Sequence, residues 1–177
     1  MKDLDKKTLE KFIKLIGDKL EGNWVIIGGA MLLYLGVSDR VTYDIDIIAP
    51  PESDRGQTLK LFEITEKLGL EVGTINQAAA FFLNKIKDWE KSIVLIHGGK
   101  NANVYRPNST LYILTKLSRL SESDYGDCIA MLTYAKKNRE PVEKTKIEKI
   151  INKEIQGSSL PEKEKRLKNL MDEIRKL

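Results

Sequence analysis

The fold of this chain is decided by one stretch, WVIIGGAMLLYLGVSDRVTYDIDII, which spans residues 24–48. It begins with an apolar run at 24–27 whose β-branched residues are typical of a buried strand. Gly28 and Gly29 follow directly, residues 30–35 read as a helix, and residues 42–48 alternate in polarity as a second strand does. We therefore predict a strand, a glycine turn, a helix and a second strand, in that order.

Two carboxylates on the second strand are the main candidates for chemistry. Asp44 and Asp46 are two residues apart, and side chains at that spacing on a strand point to the same face. Adjacent carboxylates repel each other unless a cation lies between them or one is protonated. Such oxygen ligands suit Mg²⁺ (or Mn²⁺), and Mg²⁺ is usually held by one or two carboxylates together with substrate phosphates. Gly28 and Gly29 lie at a strand-to-helix turn, where a phosphate can approach the backbone. The pattern predicts a metal site beside a phosphate-binding turn, suited to metal-assisted phosphoryl or nucleotidyl transfer.

The rest of the chain predicts an α/β (α+β) fold, with a mixed sheet flanked by helices and followed by a helical C-terminal part. We expect a domain at 1–108 and a helical region at 109–177 packed on it. The remaining predicted elements are an amphipathic helix before residue 21, helices at 58–68 and 75–89, a hairpin of 92–96 with 103–106, and helices at 109–120, 124–138, 141–155 and 161–176. Ser159 is the predicted N-cap of the last helix, with Pro161 just inside it.

Composition restricts the class of protein. The chain has 177 residues, of which 41% are hydrophobic and 32% charged, as in a charge-rich globular protein. No apolar run approaches the roughly 18 residues of a membrane span, and the N-terminus lacks the apolar core of a signal peptide. The single cysteine, Cys128, cannot form an internal disulfide. We therefore expect a cytoplasmic protein with no membrane contact.

The charge is unevenly distributed along the chain. Residues 1–90 hold 12 Lys/Arg and 15 Asp/Glu, a balance of −3, whereas residues 91–177 hold 18 and 11, a balance of +7. A basic half can attract RNA, because neutralising phosphates drives nonspecific binding. The alternative is that Lys and Glu simply interleave on solvated helix faces, as they do at 144–153.

Residues 27–32 and 40–47 resemble the signature of small nucleotidyltransferase-like proteins, which include the AbiEii-type toxins and the minimal nucleotidyltransferases. That signature is an apolar residue, Gly-Gly or Gly-Ser, a helix, Arg-x-Thr, and Asp-x-Asp on the next strand; Arg40 and Thr42 match its Arg-x-Thr. Residues 104–107 lead into Leu111 and a set of charged residues that resemble the later helical segment of these proteins. The charged residues are Lys116, Arg119, Asp124 and Asp127.

The resemblance implies the nucleotidyltransferase fold and a division of roles between the glycines and the carboxylates. Gly28 and Gly29 would contact the triphosphate of an NTP, and Asp44 and Asp46 would bind Mg²⁺. Thr42 would belong to the same nucleotide site.

The resemblance implies further roles for basic and acidic side chains. Lys116 would reach a phosphate, unless it is a surface lysine with its stem packed along apolar surface. Arg40 would support the carboxylates or a substrate, unless it only pairs with an aspartate of its own turn. Arg119, Asp124 and Asp127 would contact the residues that bind the ligand and not the ligand itself, unless Asp124 caps the helix that begins there.

One feature departs from the pattern. Active members usually offer a third carboxylate from a later central strand, and the candidate strand at 92–96 contains none. The other candidates for the third carboxylate are Glu63, on a predicted helix, and Glu71, near a possible short strand. The leading hypothesis is a nucleotidyltransferase that moves a nucleoside monophosphate from an NTP to RNA (tRNA first) or to a protein, as a toxin with an antitoxin partner. The alternatives are an inactive relative that binds nucleotide, RNA or a protein, and an interaction protein that docks through helices 141–177.

Overall fold

The computed structural model describes residues 4–37 and 41–177. Within these ranges the chain forms eight α-helices and five β-strands. They are α1 Lys6–Lys19, β1 Gly22–Ile27, α2 Gly28–Leu35, β2 Ile45–Ile48, α3 Arg55–Lys67, β3 Ile75–Asn76, α4 Ala80–Leu83, β4 Ile93–Gly98, β5 Ala102–Pro107, α5 Ser109–Leu117, α6 Glu122–Asn138, α7 Lys144–Gln156 and α8 Pro161–Arg175. The predicted α/β class, with a helical C-terminal part, is confirmed.

The five strands form one mixed sheet in the order β3-β2-β1-β5-β4. The sheet contains both parallel and antiparallel pairs. β1 runs antiparallel to β2 and parallel to β5. β2 is parallel to β3, and β4 is antiparallel to β5. The predicted hairpin is confirmed as β4 and β5, with a register shift between Leu95 and His97. β1 and β2 are largely buried because their apolar side chains fill the core, among them Trp24, Ile26, Ile45 and Ile47.

The chain divides into two compact units, Met1–Pro107 and Asn108–Leu177. The first holds the sheet with α1 to α4, and the second consists of α5 to α8. The second unit has its own apolar core, in which the fully buried side chains include Ile113, Leu117, Met131, Ile147 and Leu167. The domain at 1–108 with a helical region packed on it stays a prediction.

The predicted helix at 75–89 is wrong. Ile75 and Asn76 form β3, which pairs in parallel with Ile45 and Asp46 of β2, and only residues 80–83 are α-helical. The reason is that pairing with a strand 30 residues earlier satisfies the backbone of this segment, and local periodicity cannot show such a partner. Asn76 is thereby placed directly beside Asp46.

The second strand is shorter than predicted. β2 begins at Ile45, so Thr42 and Asp44 precede the strand. β1 ends at Ile27 and α2 begins at Gly28, so no partner strand reaches as far as Asp44.

The N-cap of α8 is Leu160 and not Ser159, whereas Pro161 lies at the start of the helix as expected. A proline there needs no helical donor, which is why the helix begins at that residue.

Among the described residues, none of the helices combines the length and the apolar character that crossing a membrane requires.

Candidate active site

The turn from β1 into α2 brings a glycine and a carboxylate together. Asp46 lies on β2 opposite Ile27, the last residue of β1. Gly28 has φ +70°, and a Cβ at this position would collide with the carboxylate of Asp46. The missing side chain therefore makes room for the carboxylate at the start of α2. The positive end of the helix dipole favours a negative charge there.

Each aspartate accepts a hydrogen bond from a neutral side chain. Asn76 Nδ2 donates to Asp46 Oδ1 at 2.6 Å, and Asn76 Oδ1 accepts from the backbone N–H of Ala78 at 3.0 Å. The hydroxyl of Thr42 donates to Asp44 Oδ1 at 3.2 Å. Thr42 is buried, Asp46 is half-buried and Asp44 is exposed. These bonds orient both carboxylates, and they assign Thr42 a role that needs no nucleotide.

Asn76 is the residue that sequence reasoning missed. It belongs to the segment that local pattern predicted as helix, and nothing in the neighbouring residues marks it as a partner of Asp46. Its position follows from the parallel register of β2 and β3, which sets Asp46 against Asn76. Only a prediction of that strand pairing could have found it.

The donor set fits a hard divalent cation. Two oriented carboxylates, two residues apart, are oxygen ligands of the kind that Mg²⁺ takes in phosphate-handling sites, where phosphates and water complete the shell. Among the described residues, no group of three or more His, Cys, Asp or Glu side chains is arranged to hold a metal. β4 and β5 carry no acidic residue, so neither strand supplies a third carboxylate. Glu63 is exposed on α3, and Glu71 precedes the short 3₁₀ turn before β3.

The other predicted nucleotide-binding residues near the pair in sequence are Gly29 and Arg40. Gly29 is half-buried in the first turn of α2. Arg40 lies outside the described residues, so its support of the carboxylates or of a substrate stays a prediction. The same holds for its pairing with an aspartate of its own turn.

Lys116 and its acidic neighbours form a second charged cluster, within the helical unit. The Lys116 ammonium lies 3.0 Å from Asp124 Oδ1 and 3.0 Å from Asp127 Oδ2, and the side chain is only 12% exposed. The interpretation of Lys116 as a surface lysine is therefore wrong. Burial alone would lower the pKa of Lys116, but the two carboxylates, Asp127 foremost, raise it above its ordinary value. Its contact with a phosphate stays a prediction.

Asp124 has more hydrogen-bond donors around it than any aspartate of the first unit shows among the described contacts. Arg119 donates from Nε and Nη2 at 2.6 and 2.7 Å, and Ser121 donates from its backbone and its hydroxyl. Burial works to raise the pKa of Asp124, yet the Arg119 hydrogen bonds and the charge of Lys116 hold it well below its usual range. Ser121 is the N-cap of α6 and Asp124 completes a capping box, so the interpretation of Asp124 as a capping residue is confirmed.

The neighbouring Cys128 is fully buried, and burial raises the pKa of its thiol far above the ordinary value. A thiol that stays protonated is a poor nucleophile, so Cys128 acts as a small core residue.

Comparison with known proteins identifies the family. A family model described as "Nucleotidyltransferase of unknown function (DUF6036)" matches residues 4–175. No curated protein and no solved structure matches the chain. Because the family model covers almost the whole length, the chain belongs to this family of nucleotidyltransferases.

Proposed function

We propose that this member of the nucleotidyltransferase family transfers a nucleoside monophosphate from an NTP to an acceptor, with Asp44 and Asp46 as the ligands of Mg²⁺ or Mn²⁺. The observation that carries the proposal is the oriented carboxylate of Asp46 at the Gly28 turn. It lies on a paired strand, next to the N-terminus of α2, and is hydrogen-bonded by Asn76.

The residues of the chain divide the work. Asp44 and Asp46 hold the cation, while Thr42 and Asn76 keep one oxygen of each carboxylate in place. The cation, when bound, supplies charge neutralisation and Lewis-acid polarisation of a phosphate. The phosphates of the NTP would bind near the N-terminus of α2, where the positive end of the helix dipole favours an anion. Asp46 is held on a paired strand, which limits the reorganisation that the transfer requires.

The acceptor in this proposal is an RNA, with tRNA as the first candidate, and a protein side chain as the second. The excess of basic residues in 91–177 supports RNA, because phosphates are bound through Lys and Arg. The resemblance to AbiEii-type toxins supports a toxin role for this cytoplasmic protein within the proposal, with an antitoxin as its partner.

A catalytically inactive member is the second candidate, and one observation favours it. β4 and β5 offer no acidic side chain, so the described residues bring two carboxylates together and not three. Such a protein would keep the turn and the aspartates for binding nucleotide, RNA or a protein partner without transferring the nucleotide.

A transfer assay separates these candidates. Each α-³²P-labelled NTP is incubated with wild type and Mg²⁺ or Mn²⁺, on total tRNA and on a protein extract, beside Asp46→Asn. We expect label to move to one acceptor class, and Asp46→Asn to reduce the rate by about 10³-fold or more, because a cation contributes several kcal/mol at a developing phosphate charge. Glu10→Gln, which removes an exposed carboxylate on α1, is the matched control and should transfer like wild type.

The assay is paired with a measurement that does not depend on activity. Mn²⁺ binding, followed by electron paramagnetic resonance, should be lost in Asp46→Asn and kept in Glu10→Gln. Binding of Mn²⁺ and NTP without transfer to any acceptor would support the inactive member. Equal transfer by Asp46→Asn and wild type would refute the proposed site.

A further inference from the structure

Two phenylalanine side chains lie exposed in the segment that follows Asn76. Phe81 and Phe82 on α4 are 62% and 37% exposed. Their ring centroids are 5.6 Å apart with an angle of 80° between the ring planes, so the pair presents two π faces in different directions. The Lys85 ammonium lies 3.9 Å from the centroid of the Phe81 ring and 5.9 Å from that of Phe82.

The two rings are not needed to anchor the segment. Ala79 and Leu83, on either side of them in the sequence, are buried at 6% and 0% exposure and attach α4 to the core. A phenyl ring that stays partly in water forgoes some of the stabilisation that its burial would give. Single exposed apolar residues are common on protein surfaces and need no explanation. Two neighbouring exposed aromatic rings that do not contribute to packing indicate a binding surface.

The segment is connected directly to the carboxylate site. Asn76, which donates to Asp46, accepts a hydrogen bond from the backbone of Ala78. The carbonyl of Ala78 in turn accepts from the N–H of Phe81 at 3.1 Å. Two consecutive turns therefore tie the aromatic pair to the residue that orients the predicted metal ligand.

The local charge favours an anionic, aromatic ligand. Lys85 and Lys87 are both exposed, and the neighbouring Asp88 is paired with Lys91, whose ammonium lies 3.0 Å from its carboxylate. A cation over one ring, next to a second ring, matches a nucleotide, whose base stacks on aromatic faces and whose phosphate pairs with lysine. A protein partner would require a broader apolar patch than two side chains of one helical turn provide.

We propose that Phe81, Phe82 and Lys85 form a stacking platform for a nucleobase, carried either by the NTP or by the terminal nucleotide of an RNA acceptor. The platform deepens, and rests on, the transfer function proposed above. In this arrangement the base lies on the rings and Lys85 contacts a phosphate of the same nucleic acid or nucleotide.

The test measures binding and does not require turnover. A 5′-fluorescein-labelled single-stranded RNA of mixed sequence, 12 nucleotides long, is titrated by fluorescence anisotropy, and each NTP is titrated by calorimetry. Phe81→Leu keeps an apolar side chain but removes the π face, so we expect about tenfold weaker binding of whichever probe stacks there. Phe81→Tyr keeps the ring and should bind within about twofold of wild type.

Two further variants isolate the contributions. Leu59→Ala removes a side chain on α3 that is also 62% exposed, and it should leave binding unchanged. Lys85→Gln should reduce the slope of log K against log salt by about 0.7 for RNA, the value for one phosphate contact on a single strand. Weakening of RNA binding alone identifies the acceptor as the source of the base, and weakening of NTP binding alone identifies the NTP.

The outcomes distinguish the platform from the transfer function. If Phe81→Leu binds both probes as tightly as wild type, or if wild type binds neither, the platform is refuted. If Phe81-dependent binding is found but wild type transfers no label, the platform stands and the transfer function fails. If wild type transfers label and Phe81→Leu transfers and binds equally well, the platform alone fails.

Discussion

Two aspartate pairs, one in each unit, hold their carboxylates in contrasting ways. Asp124 and Asp127 are 1% and 4% exposed, and the Lys116 ammonium lies 3.0 Å from each. Asp46 lies on β2 and Asp44 just before it, and their bonds with Asn76 and Thr42 come from an amide and a hydroxyl. The described contacts of the helical pair include the cations Lys116 and Arg119, whereas the Thr42 and Asn76 side chains that orient Asp44 and Asp46 are neutral.

The different hydrogen-bond partners suggest different roles for the two aspartate pairs. A buried carboxylate is tolerated when a cation and hydrogen bonds compensate for its lost hydration, so the helical cluster connects α5 to α6. Under the proposed function Asp44 and Asp46 bind an external cation, and the hydrogen bonds from Thr42 and Asn76 orient them for it. The two pairs look alike in sequence, since both are closely spaced aspartates with basic residues nearby.

The largest expected effect tests the helical cluster. Lys116→Met leaves Asp124 and Asp127 buried without their ammonium, so we expect a loss of about 3–5 kcal/mol in the free energy of unfolding, as when one partner of a buried ion pair is removed. Urea unfolding followed by far-UV circular dichroism measures it. Lys149→Met, at an exposed position of α7, is the control. A loss below about 1 kcal/mol would contradict the structural role of the cluster.

The Gly28 turn provides the next largest effect. Gly69 has φ +68° and open space around it, so Gly69→Ala should cost only the strain of the left-handed backbone, about 1–2 kcal/mol. Gly28→Ala has nearly the same φ and also places a Cβ against the Asp46 carboxylate. We expect a further cost of about 1–3 kcal/mol from that overlap, together with weaker Mn²⁺ binding. Equal stability of the two variants would show that Gly28 is not needed to accommodate Asp46.

Acid should affect the two pairs differently. The pKa of Asp124 is lower in the folded protein than in the unfolded chain, so its stabilisation is complete above the unfolded value near 4 and is lost as the pH falls through the folded value. Lys116, whose pKa is raised, stays charged throughout this range. Wild type should lose stability between about pH 4 and pH 2 as Asp124 is protonated. In Asp124→Asn, which has no carboxylate at this position, we expect this acid-induced loss to be smaller by roughly 2 kcal/mol.

Unfolding in urea at several pH values measures that dependence, with the exposed Asp172→Asn as the control. The same acid dependence in Asp124→Asn and wild type would mean that Asp124 is not held by Lys116 and Arg119 in solution.

The smallest effect concerns the positioning of Asp46. Asn76→Ala removes the 2.6 Å hydrogen bond to Asp46 Oδ1, and we expect about tenfold weaker Mn²⁺ binding, the size typical for a residue that orients a metal ligand. The stability should change by less than about 1 kcal/mol, because Asn76 is half-buried at the sheet edge. Gln77→Ala, at the exposed neighbouring position, should change neither quantity. Unchanged Mn²⁺ affinity in Asn76→Ala would show that the amide does not position the carboxylate.

Much of the fold was predictable from local pattern. The amphipathic α1, the buried β1, the hairpin of β4 and β5 and the four C-terminal helices follow from apolar spacing within single segments. The segment 75–89 failed because its alanines and phenylalanines look helical, while its structure is set by pairing with β2. Strand pairing over 30 residues leaves no local signature, so the register was not available from the pattern.

The sequence alone determined that two aspartates lie two residues apart after a glycine turn, and that this order resembles nucleotidyltransferases. These features are local, because spacing and the missing Cβ act within a few residues. Only the tertiary structure decided that the carboxylate of Asp46 lies against Gly28 and Asn76, and that Lys116 is paired with Asp124 and Asp127. The physical reason is that sheet register and helix packing bring together side chains that are distant along the chain, and these contacts decide which groups surround each carboxylate.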